Sequence, residues 1–171
     1  MRRPVTLAAF AALAFLAPRP ALAQGITDAN IVAIFDAANT ADIETGSLAA
    51  HKGADPRVRD LGQSFADAHT AVRQQGRDLA KQLSVTPVPP GNDQSGAQHA
   101  AAMKKLGGLK GAEFDKAWLD HEIAYHQAVI DAVTKTLLPA TKNADLKAFE
   151  EKIAPAFVGH LQMAKELRAK L

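Results

Sequence analysis

The sequence contains no cysteine among its 171 residues. That excludes disulfides, thiolate metal sites, a thiol nucleophile and a lipid-modified N-terminal cysteine. A domain built from this chain is held by its hydrophobic core alone. Beyond residue 23, no apolar run approaches the ~18 residues of a membrane-crossing helix. No Lys/Arg cluster makes a phosphate-binding patch, so there is no electrostatic case for nucleic acid. "GGLKG" (107–111) has neither the pattern of a phosphate loop nor a strand before it. Ser47, Ser64 and Ser84 have no His/Asp arrangement that argues for a hydrolase triad. Glu-x-x-His, which di-iron carboxylate bundles carry on two helices, is also absent.

At the N-terminus, Arg2 and Arg3 precede the apolar stretch "VTLAAFAALAFLA", and "ALA" at 21–23 fits a small-residue cleavage site. These features predict a signal peptide over residues 1–23, a single mature domain over 24–171 and a periplasmic location. Cleavage removes Arg2, Arg3 and Arg19, so the formal charge moves from +2 to about −1.

The remaining chain is rich in helix formers, and no window alternates with period two. A first helix is expected from Asp28, as N-cap, to His51. Gly53, Asp55 and Pro56 mark the stop, cap and first turn between it and a second helix reaching about Leu83. So short a connection makes the pair antiparallel. "SVTPVPPGND" is the clear break, followed by a short helical piece around Gln98–Leu106. A third long helix is expected from Ala112 to Leu138, ending at Pro139. A fourth is capped by Asn143 and should be kinked by Pro155. The expected fold is all-α: an antiparallel four-helix bundle with a short extra helix in the second-to-third connection.

Polar groups interrupt every core stripe. Asp42 lies in line with Ile31, Phe35, Ala38 and Ala49, and His69 sits between Phe65 and Val72. In "DHEIAYHQAVIDA" (120–132), Glu122 and His126 face inward with Tyr125, while His121 falls on the flank and Asp120 in solvent. His160 fills the gap between Ala156 and Ala164. Buried polar groups cost several kcal/mol unless they find partners, so these should converge on one another, on water or on an ion. Bundles build metal sites in this way. Asp42, His69, Glu122, His126 and His160 are therefore the candidate ligands of one transition metal ion. Nitrogen and oxygen donors without sulfur suit Zn, Cu(II), Fe or Mn. The other reading is a structural or interaction module of the envelope, with the same groups in a hydrogen-bond network. No catalytic set is legible.

Axial position, at about 1.5 Å per residue, orders these groups. Glu122 should stand level with His160, with His126 one turn nearer the connecting turn. Asp42 and His69 should miss each other by ~6 Å. Glu44 fits less well, and His51, His99, Asp120, Asp131 and Lys135 are expected at exposed positions or helix ends.

The segments "ADIETGSLAAHKGADPRVRDLGQSFADAHTAV", "FDKAWLDHEIAYHQAVIDAV" and "PAFVGHLQMAKEL" resemble a bacterial family of exported, ferritin-like bundles. Its members carry a domain of unknown function and are often labelled predicted outer membrane proteins. The likeness runs from Ile26 to Leu167 and matches the family pattern at Asp42, His69, Phe114 to Trp118, His126 and His160. It implies fold and compartment and little chemistry. The chain departs from the pattern at Ala68, where the family has an acid before the histidine. Asp67 would face elsewhere, which removes one source of support for His69.

Overall fold

The computed structural model describes residues 25–171; the expected signal peptide lies outside them. Among the described residues the chain is helical and has no strand. The elements are α1 (Asp28–Lys52), α2 (Pro56–Gln82), α3 (Ser95–Gly108) and α4 (Gly111–Ala132), followed by a π-helical turn (Val133–Leu137), α5 (Leu138–Ala140) and α6 (Ala144–Arg168). No helix among the described residues is long and apolar enough to cross a membrane.

Local chemistry sets the ends. Thr27, rather than Asp28, caps α1: its side chain accepts from Asn30 N–H, and Asn30 reaches back to the Thr27 backbone N–H. Asp28 is thereby free for a longer reach and accepts from the backbone N–H groups of Lys142 and Asn143, at 2.9 and 3.0 Å. Asp55 caps α2 with Pro56 behind it, and Asn143 caps α6 by accepting from Asp145 and Leu146. The third long helix does not stop at Pro139. A regular helix would drive that ring into the Lys135 carbonyl; here the backbone widens over 133–137 and runs on through the proline. α6 likewise continues through Pro155.

α1 packs along α2, and α4 along α6. The first pair has its backbones in close contact at Gly46 and Gly62. A Cβ on Gly46 would stand 2.7 Å from the Gly62 carbonyl oxygen, and one on Gly62 would stand 2.7 Å from both Gly46 O and Ala49 Cβ. Two of these obstacles are backbone atoms and cannot rotate away. Gly46→Ala and Gly62→Ala are each expected to cost about 1–3 kcal/mol through overpacking, read as a lower urea midpoint at unchanged slope.

Two apolar clusters occupy the interior. One gathers Ile31, Phe35, Val133, Leu137, Ile153 and Phe157; the other gathers Val58, Phe65, Leu106, Phe114, Trp118 and Leu119. The polar side chains of the candidate centre lie between them, flanked by Phe157 from the first and Phe65 from the second.

Candidate metal centre

Among the described residues nine polar or charged side chains are buried, and Asp42, His69, Glu122, His126 and His160 belong to them. Of these five, all but His160 are at most 3% exposed; His160 is 8% exposed. One ring nitrogen from each of His69, His126 and His160 lies within 4.8 Å of the other two. Asp42, Glu122 and His126 form a second set of the same compactness. His126 belongs to both.

Hydrogen bonds decide which nitrogen each ring can offer. Asn39 on α1 donates its Nδ2–H to Phe35 O at 2.8 Å, which turns its Oδ1 toward His69. An amide oxygen only accepts, so the 2.9 Å contact makes His69 Nδ1 the protonated nitrogen. Its lone pair is then on Nε2, 3.1 Å from His160 Nδ1. His126 Nδ1 donates to the Glu122 backbone carbonyl at 3.0 Å, so its lone pair is also on Nε2. That atom is buried without a partner. Aromatic faces fix the ring planes: Phe65 stacks on His160 at 4.5 Å, and Phe157 lies parallel to His69 at 5.8 Å between centroids.

The carboxylates stand on the other side of the imidazoles. Asp42 Oδ2 is 3.6 Å from His69 Nδ1, and Glu122 Oε2 is 3.4 Å from His126 Nδ1. Both oxygens of Glu122 and Oδ1 of Asp42 are buried without a hydrogen-bond partner. Burial, and after it the charge of Glu122, push the Asp42 carboxyl well above its usual range. Burial, followed by His160 and His126, lowers His69 to about 3. Burial and His126 lower His160 to about 4, with Glu122 opposing them. Both rings are therefore neutral at pH 7, the form that ligates a metal. Tyr125 donates to Ala38 O at 3.3 Å, and burial followed by the two acids raises its pKa, so it keeps its proton.

Two axial expectations need correction. Asp42 and His69 meet despite the ~6 Å mismatch, and His126, not Glu122, joins the ring set of His160. One cause explains both. Helical side chains lean toward their own N-terminus, so two helices packed side by side across a tight turn lean in opposite directions. Asp42 leans away from the α1–α2 turn while His69 leans toward it, which closes the gap. Glu122 and His126 lean away from the α5–α6 turn while His160 leans toward it, which brings His160 to the level of His126.

Other groups fall outside this core. Glu44 is exposed and pairs with His99 Nε2 at 2.7 Å, tying α1 to α3. His51 donates to Ser47 O, His121 stacks on Tyr125, and Asp120 pairs with Arg168. Asp67 accepts from Gln63 and gives His69 no support. Asn39 supplies that support in its place. Its signal in the sequence is a polar residue four positions after Phe35 and three before Asp42, on one helix face.

These features define a helical protein with a buried cluster of imidazoles and carboxylates. The chain belongs to the family described as Domain of unknown function (DUF4142), whose model matches residues 13–167. No curated protein and no solved structure matches it.

Proposed function

We propose that this protein is an exported periplasmic four-helix bundle that holds a transition metal ion in its core. In this reading residues 1–23 are a signal peptide, and residues 24–171 form one antiparallel, ferritin-like domain that sequesters or delivers the ion. The observation that carries the reading is the convergence of three imidazoles with two N–H groups tied back onto oxygen acceptors. An oriented imidazole whose other nitrogen is hydrogen-bonded is the usual form of a metal-ligating histidine. Ligands ~2.0–2.1 Å from a tetrahedral ion stand about 3.3 Å apart, close to the 3.1 Å between His69 Nε2 and His160 Nδ1. The donors suit Zn, Cu(II), Fe or Mn, and the carboxylates of Asp42 and Glu122 supply negative charge beside the imidazoles.

The test is elemental analysis of untagged protein purified from the periplasm. It is expected to contain stoichiometric transition metal, and the double variant His69→Ala/His160→Ala is expected to lose it. A double variant with the full complement of metal overturns the reading.

The direct His69–His160 hydrogen bond favours a second reading, a structural envelope module with no ion. That alternative leaves His126 Nε2 and the Glu122 oxygens without partners. It predicts metal-free protein, together with a large loss of stability in His160→Leu.

A further inference from the structure

The two sets of donors differ in chemistry. Around His69 and His160 the core offers imidazole nitrogen; around Asp42 and Glu122 it offers carboxylate oxygen. His126 stands between them, and a single nitrogen cannot serve two ions. It has one nitrogen for each side: Nδ1 is 3.4 Å from Glu122 Oε2, while Nε2 is buried without a partner.

We propose that Asp42, Glu122 and His126 form a second cation seat, so that the core holds two ions with the His126 ring between them. This rests on the metal-binding reading above and extends it.

Three orphaned carboxylate oxygens carry the argument. Glu122 is 1% exposed and Asp42 3%, and among the described residues their ion-pair partners are histidines, with no Lys or Arg in reach. Two carboxyl groups withdrawn from water against each other cost several kcal/mol unless a shared proton or a cation lies between them. A divalent ion supplies positive charge and satisfies the oxygens together. The 3.4 Å between Glu122 Oε2 and His126 Nδ1 matches the about 3.3 Å edge between two ligands of a tetrahedral ion.

Ligation by both nitrogens turns the His126 ring off the Glu122 backbone carbonyl, and the Nδ1 proton now donated there is released to solvent. The ring becomes an imidazolate. Its charge adds to those of Asp42 and Glu122, so most of the charge of two divalent ions is balanced inside the core. The oxygen-rich seat favours a harder ion than the three imidazoles do, which makes two different metals the natural occupancy.

The experiment titrates untagged, metal-free protein with Co(II), following bound metal by native mass spectrometry and spin coupling by electron paramagnetic resonance. The wild type is expected to take two Co(II) per chain, the second equivalent quenching the signal of the first through the shared ring. Asp42→Asn/Glu122→Gln is close to isosteric and is expected to take one, with its fold checked by circular dichroism. The wild-type signal decides the matter even where that variant does not fold. Saturation at one Co(II) overturns the second seat and leaves the three-histidine site standing, the carboxyls then sharing a proton. Two uncoupled ions, or two ions still bound by the folded variant, also overturn it. No bound Co(II) overturns both readings.

Discussion

Acidifying the metal-free protein from pH 7 to pH 4 is expected to remove a large part of its folding stability. His69 and His160 are held at about 3 and about 4 in the fold, below the ~6.5 of an unperturbed imidazole. A depressed histidine binds fewer protons folded than unfolded, so its contribution is fully present above pH ~6.5 and is lost on descent through the folded value. At ~1.4 kcal/mol per unit, the two rings together withdraw on the order of 6 kcal/mol by pH 4. That is comparable to the whole stability of many domains. Asp42 acts in the opposite sense. Its raised pKa gives stability that is complete below the ordinary carboxylate range and is lost as pH rises through the folded value. Urea midpoints across pH 4–8 check the balance. A flat acid limb would mean that the imidazoles remain exposed enough to protonate without unfolding. Added metal is expected to move the acid limb to lower pH, because it binds the folded form and competes with protons for the same nitrogens.

Phe65→Ala is expected to destabilise the protein by about 3–5 kcal/mol, the usual cost of emptying a large aromatic site in a core. Phe65 is fully buried, and its centroid lies 6.0 Å from Trp118, 5.3 Å from His126 and 4.5 Å from His160. Its removal leaves a void between the Trp118 cluster and the imidazoles. The metal affinity of the three-histidine set is expected to fall with it, since His160 loses the face that holds its plane. Phe65→Leu keeps most of the volume and none of the stacking. It should therefore retain most of the stability and show the loss of affinity on its own. Denaturant melts and Co(II) titrations of both variants separate the two effects.

Much of this interior is legible in the residues. Asp42, His69, Glu122, His126 and His160 interrupt apolar stripes at helical spacing, and each is buried. Asp55–Pro56 and Asn143 announce two helix starts through cap chemistry alone. Asn39 is harder to find, because the apolar stripe through Ile31 and Phe35 points to its neighbour Ala38, although only Asn39 is fully enclosed. The grouping of the site is hidden too, because counting residues locates Cα atoms and not the tips of side chains. A lean of one side chain up and its partner down shifts their meeting point by a full turn. The passage of the third long helix through Pro139 is concealed for a related reason. A proline reads as a stop when the helix is assumed to have one fixed width.

That widened segment also sets the rotational phase of the residues beyond it. It holds one residue more than an α-turn needs, and each residue turns a helix by about 100°. The last residues after Leu137 are thereby rotated while the rod grows hardly longer. From this orientation Thr141 donates to Glu150 Oε1 at 2.8 Å, and the Lys142 and Asn143 amides face Asp28. One surplus residue within 133–137 thus acts as the clockwork between two ends of the chain. A deletion there would press the Pro139 ring into a backbone carbonyl one turn back and aim the closing turn away from both acids that latch it.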